Sequence, residues 1–169
     1  TVLYKKIVGV ADVVKILRRA CVGLELSPAV ISCLEEKEVG NYAFARDNVL
    51  KAVTSYTTAL RLLEEENRAG SSFSRCRVRS AILANRSAAH GSLKSWDKAL
   101  QDANSAVDEF PGLASAWKRK AEAEEALGNR DRALKSVETA LNLETSKDRR
   151  KALENWKAKL EARVQWRLF

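Results

Sequence analysis

Apolar residues recur three and four positions apart along most of the chain, marking out helices separated by short polar or glycine-containing turns. Between Val2 and about Leu24, the residues Leu3, Ile7, Val10, Val13, Val14 and Leu17 share one face, while Lys5, Lys6, Lys15, Arg18 and Arg19 take the rest of the wheel. This predicts a basic amphipathic helix over residues 1–27, with Gly9 as a breaking point, that caps the next helix pair, the alternatives being a membrane surface or docking on a partner. Ser27-Pro28 then opens a new helix, because the serine oxygen can accept from free N–H groups of the first turn and proline gives up an N–H that has no partner there. That helix is expected to carry Leu34, Val39 and Phe44 and to stop near Asp47-Asn48; a second, from Val49 to about Glu66, lines up Leu50, Val53, Tyr56, Ala59, Leu60 and Leu63. Residues 67–77 are predicted as a loop, glycine- and serine-rich to Ser74, with Arg75, Arg77 and Arg79 leading in as the frayed basic start of the following helix. Helices over 78–92 and 95–109 close at Pro111, and a further pair covers 113–127 and 130–143 around Gly128-Asn129. A last helix opens at Thr145 or Ser146, its stripe of Leu153, Trp156, Leu160 and Val164 suited to covering the face of the final pair.

Small residues keep one register through the three pairs. Gly40, Ala52, Tyr56 and Ala59 are 12, 4 and 3 positions apart, and so are Ser87, Ala99, Ala103 and Ala106, and Ala121, Ala133, Val137 and Ala140. Ser87 to Ala121 is 34 residues; Gly40 to Ser87 is 47, one such period plus an insertion of 13 at the loop. Small side chains are needed where two antiparallel helices cross closely, and the larger third position fills the space between neighbouring pairs. A 34-residue helix-turn-helix period that ends at Pro111 resembles the tetratricopeptide repeat. The resemblance covers roughly residues 33–145. It implies an all-α fold of three repeats, 28–66, 78–111 and 113–144, in a right-handed superhelix, with an extra N-terminal helix and a C-terminal capping helix with its tail over 145–169. It also implies that the first helix of each repeat lines a concave groove, and a protein-binding role without chemistry of its own.

Composition narrows the partner. The chain has 30 basic and 22 acidic side chains, a net charge of +8, with the excess at the two ends and around the loop. Such a distribution steers an acidic partner, although a solvated surface accounts for it equally. Cys21, Cys33 and Cys76 are odd in number and widely spaced, and His90 is the single histidine, so no zinc site and no cofactor are expected. Reduced cysteines fit a cytoplasmic protein. Because the chain starts at Thr1 and is basic, an organelle interior (mitochondrion or plastid) is the alternative, and no run of residues is apolar enough to span a membrane.

If the first helices face a groove, its lining includes Lys37, Asn41 and Phe44 from the first repeat, Asn85 from the second, and Ser115, Arg119 and Glu122 from the third. Amides that donate, a planar guanidinium and a lysine point charge suit a carboxylate. The runs Lys37-Glu38-Val39-Gly40-Asn41, Asn85-Arg86-Ser87-Ala88-Ala89 and Lys118-Arg119-Lys120-Ala121 are similar to those of the chaperone adaptors whose repeats clamp the acidic C-terminal peptide of Hsp70 or Hsp90. By that resemblance Lys37, Asn41 and Asn85 hold the terminal carboxylate and Arg119 reaches an internal acidic side chain. One position departs: the adaptors have lysine four residues before the arginine, where this chain has Ser115, a loss worth about 1–3 kcal/mol of binding. The alternatives at the same residues are local: Asn41 bonding to backbone, Asn85-Arg86 inherited without use, Arg119 pairing with Glu122.

A second reading makes the chain a structural or assembly subunit of a larger complex, held by its helical surfaces, by the basic N-terminal helix and by the segment Trp156 to Phe169. Nucleic-acid binding by the basic runs Arg75, Arg77, Arg79 and Lys147, Arg149, Arg150, Lys151 would be non-specific and comes with no recognition motif. Catalysis is not expected: Asp97, Asp102 and Asp108 have helix-surface spacing, His90 sits where the repeat packs an aromatic ring, and no phosphate loop or nucleophile motif is present.

Overall fold

Ser27 caps the first helix as its position suggests, its Oγ accepting from the Val30 N–H at 3.3 Å while Pro28 sits in the first turn. The computed structural model describes residues 27–66 and 73–165. These hold seven helices and no strand: α1 Pro28–Ala45, α2 Val49–Glu66, α3 Phe73–Ser92, α4 Trp96–Glu109, α5 Ala114–Ala126, α6 Arg130–Leu143 and α7 Lys147–Gln165. The N-terminal helix expected before Ser27, the segment 67–72 and the tail 166–169 lie outside the described residues. The chain divides into two compact units, Thr1–Arg75 and Cys76–Phe169.

In the first unit α1 and α2 form a tightly packed pair around the turn at Asp47, whose φ of 61° reverses the chain. Gly40 lies against the Tyr56 ring; a Cβ there would stand 2.5 Å from Tyr56 Cε1, so only hydrogen fits. Tyr56 is buried with Ala52, Ala59, Leu60 and Leu63, and Cys33 closes the core from α1. Leu50, expected on this face, is instead 70% exposed. At 100° per residue it falls roughly 150° round the helix from the centre of the face made by Ala52, Tyr56, Ala59 and Leu63.

The second unit stacks α3 to α7. Its eight repeat positions, Ser87, Ala99, Ala103, Ala106, Ala121, Ala133, Val137 and Ala140, are all buried, as are the four in the first unit. Two serines stitch α3 to α4: Ser80 Oγ donates to the Ala106 carbonyl at 2.7 Å and Ser87 Oγ to the Ala99 carbonyl at 2.8 Å. Helix α3 begins at Phe73, five residues before the expected start at 78. From Phe73 onward the sequence contains no glycine or proline until Gly91, so nothing stops the helix from extending back to the serine- and glycine-rich segment. Gly128, with φ of 82°, terminates α5 in the left-handed conformation that favours glycine. Helix α7 lays Leu153 and Leu160 on Ala121, Ala133, Val137 and Ala140, with Trp117, Leu134, Leu141 and Trp156 packed around them. It thus covers the last pair, as its apolar stripe predicts.

Candidate functional site: carboxylate-binding positions of the repeat helices

Lys37 and Asn41 are four apart on α1 and therefore share a face, one turn from each other. Between them Glu38 already presents a carboxylate: its Oε1 accepts from Lys37 Nζ at 2.6 Å and its Oε2 from Asn41 Nδ2 at 3.0 Å. The Asn41 amide is turned by a second bond, from the Tyr56 hydroxyl to Asn41 Oδ1 at 2.9 Å, which leaves Nδ2 as the carboxylate-facing end. Phe44, a further turn along, is half-buried. Asn41 is thus held by the side chains of Glu38 and Tyr56.

In the second unit Asn85 is half-buried on α3. Its neighbour Arg86 is committed to the packing: Nε and Nη2 donate to the two oxygens of Asp102 at 2.8 and 2.7 Å. Asp102 is buried, not on the helix surface where its spacing suggested, because the α4 face it shares with Ala99 and Ala106 is turned to α3. His90 stands beside this pair, with Nε2 3.8 Å from Asp102 Oδ2. Burial lowers its pKa; the Asp102 carboxylate opposes that shift, and Arg86 and Lys98 reinforce it. Sequence spacing alone missed this buried ion pair, and also Glu124, buried on α5 with Ser136 Oγ donating to its Oε2 at 2.7 Å.

Ser115 and Arg119 lie one turn apart on α5, Ser115 exposed and Arg119 half-buried. Arg119 Nη1 donates to Glu122 Oε2 at 2.7 Å, and Lys118 lies 3.7 Å from the other oxygen of the same carboxylate. Both Ser115 and Arg119 line a cavity of about 680 Å³, walled on its far side by Leu153, Trp156 and Arg149 of α7. The α7 contribution was not legible as part of a site: Leu153 and Trp156 read as a cap and Arg149 as one member of a basic run. Carboxylates that line the cavity are engaged, Glu125 accepting from the Trp156 indole N–H and from Arg163, both at 2.7 Å. Among the described residues no cluster of histidine, cysteine and carboxylate side chains could hold a metal ion, and no helix is long and apolar enough to cross a membrane.

No protein-family model matches the chain. It is 32% identical over 108 residues to the small glutamine-rich tetratricopeptide repeat-containing protein 2 of Saccharomyces cerevisiae, covering 64% of this chain and 28% of that protein. Against the heat shock protein STI1 of the same yeast it is 32% identical over 112 residues, covering 66% of this chain and 17% of that protein. The chain therefore spans less than a third of the length of these relatives. Among solved structures, the first TPR domain of Spaghetti (RPAP3) bound to the HSP90 peptide SRMEEVD superposes with a TM-score of 0.65 at 24% identity, over 79% of this chain and 96% of that one. The Arabidopsis OM64 TPR domain superposes with a TM-score of 0.63 at 27% identity, over 78% and 98%. In its fold and in the register of its repeats, the chain is similar to the tetratricopeptide-repeat domains of STI1, RPAP3 and OM64.

Proposed function

We propose that the domain is a non-enzymatic protein-interaction module that takes an acidic peptide by its terminal carboxylate, as an adaptor for a chaperone tail or a partner with a similar end. One observation carries this reading: Lys37 Nζ and Asn41 Nδ2 take the two oxygens of a single carboxylate, that of Glu38, at hydrogen-bonding distance. The Glu38 side chain stands in for what a peptide terminus would present, and the amide is oriented for the task by Tyr56. Arg119 likewise holds the Glu122 carboxylate. Within the first unit Lys37 and Asn41 are the residues proposed to hold a carboxylate, bordered by Phe44; within the second, Asn85 and Arg119 are those proposed to take acidic groups, bordered by Ser115. The similarity to domains bound to SRMEEVD, and to a second RPAP3 domain in complex with the HSP70 peptide SGPTIEEVD, supports the choice of ligand. Because the cations are already paired with Glu38 and Glu122, a peptide must exchange with those carboxylates, so affinity is modest and falls with salt.

The test is a titration of the chain with SRMEEVD and SGPTIEEVD at low ionic strength. Saturable binding is expected, with Asn85→Ala and Arg119→Ala each weakening it about tenfold, the scale of a hydrogen bond to a charged group, and C-terminal amidation abolishing it. Absence of binding at about 100 µM, roughly 5.5 kcal/mol of affinity, sinks the proposal. Stable co-purification with a partner that neither peptide displaces would point instead to an assembly subunit held by its surfaces.

A further inference from the structure

Ser115 removes a cation from α5, but the cavity it lines receives one from α7. Three contacts fix the register. Ser136 with Glu124 sets α6 against α5, and Arg150 with the Leu141 carbonyl and Lys157 with Glu138 set α7 against α6. With α5 and α7 both antiparallel to α6, these contacts place Ser115 about level with Asp148 and Arg149, one turn into α7. The contacts of Glu125 to Trp156 and Arg163 give the same alignment from the other end. Arg149 lines the cavity together with Ser115 and Arg119 and is 72% exposed on its side chain. One of its nitrogens lies 3.1 Å from Glu144 Oε1, an oxygen that also accepts from the Ser146 N–H. A guanidinium has five N–H donors, so this contact positions the group without exhausting it. Ala114, Ala152, Leu153 and Trp156 give the same cavity an apolar part, beside the charged Lys118, Glu122, Glu125 and Glu144.

We infer that Arg149 supplies the second cation that the repeat helix lacks at Ser115, so that an acidic side chain upstream of the peptide's terminus lies between Arg119 and Arg149. The inference rests on the peptide-binding reading above and names a specificity residue for it, delivered by the capping helix instead of by a repeat.

Calorimetric titration of the full chain with SRMEEVD tests it in four variants. Arg149→Ala is expected to bind about tenfold more weakly, matching Arg119→Ala, whereas Lys151→Ala, which removes an exposed charge from the same helix, shifts affinity no more than about twofold. Adding Ser115→Lys to Arg149→Ala is expected to restore most of the loss. Wild-type affinity for Arg149→Ala alongside a weakened Arg119→Ala overturns the inference and leaves the peptide reading standing. An equal loss in Lys151→Ala overturns it too, since net charge would then explain the effect. No binding by the wild type overturns both.

Discussion

Gly40 has room for a hydrogen and nothing larger, because the Tyr56 ring lies where a Cβ would go. Gly40→Ala is expected to lower unfolding free energy by about 1–3 kcal/mol, as overpacking does, despite alanine's better helix propensity. Urea denaturation followed by circular dichroism measures it, and an unchanged midpoint would contradict the packing described. This residue was legible from the chain because twelve positions repeat at fixed steps, ten of them glycine, alanine or serine, and a repeat is evidence that local side-chain identity alone does not give. Asp102 was not legible: it is an acidic residue on an amphipathic helix, and only the tertiary pairing with Arg86 explains its burial. The same neighbourhood sets a pH dependence. With its folded-state pKa lowered chiefly by burial, His90 binds a proton less readily in the folded protein than in the unfolded chain, whose value is near 6.5. Its contribution to stability is therefore full above that value and lost as pH falls through the lower folded-state value. Melting temperatures taken between pH 7.5 and 5 are expected to fall further for the wild type than for His90→Gln, and parallel curves would remove His90 as the cause.

Helix α7 combines two roles on one element. Its buried face, with Leu160 fully enclosed among Ala121, Ala133, Val137 and Ala140, closes the last repeat. Leu160→Ala is expected to cost about 2–5 kcal/mol, the range for a deleted core leucine, and chemical denaturation would show it as a lower midpoint with an unchanged slope. A loss below about 0.5 kcal/mol would mean that the cap contributes little to the core. The capping stripe was readable from the three- and four-residue spacing. That the helix also walls a cavity beside Ser115 was not, since this depends on the register across two helix pairs, which no single periodicity encodes. Helix ends followed local chemistry where the chemistry was strong, as at Ser27-Pro28 and Gly128, and slipped where it was weak, as at Phe73.

For the molecule as a whole, the fold was largely written in the spacing of its small residues, whereas the site was written only as residue types. Lys37, Asn41, Asn85 and Arg119 could be named from the chain, and so could the pairing of Arg119 with Glu122, but Glu38 as the shared partner of Lys37 and Asn41 could not, because that pairing depends on rotamers among several neighbouring carboxylates. The exposure of Ser115 carries a further consequence, for how such a domain changes over generations. The positions that set the helix crossings are enclosed, and this one faces out, so exchanging lysine for serine here leaves the packing untouched. Ligand preference can then drift by single steps while folding stays under constant selection. A mutational library of this chain scored for abundance in cells would register every damaged crossing and remain blind to most of the changes that redirect what it binds.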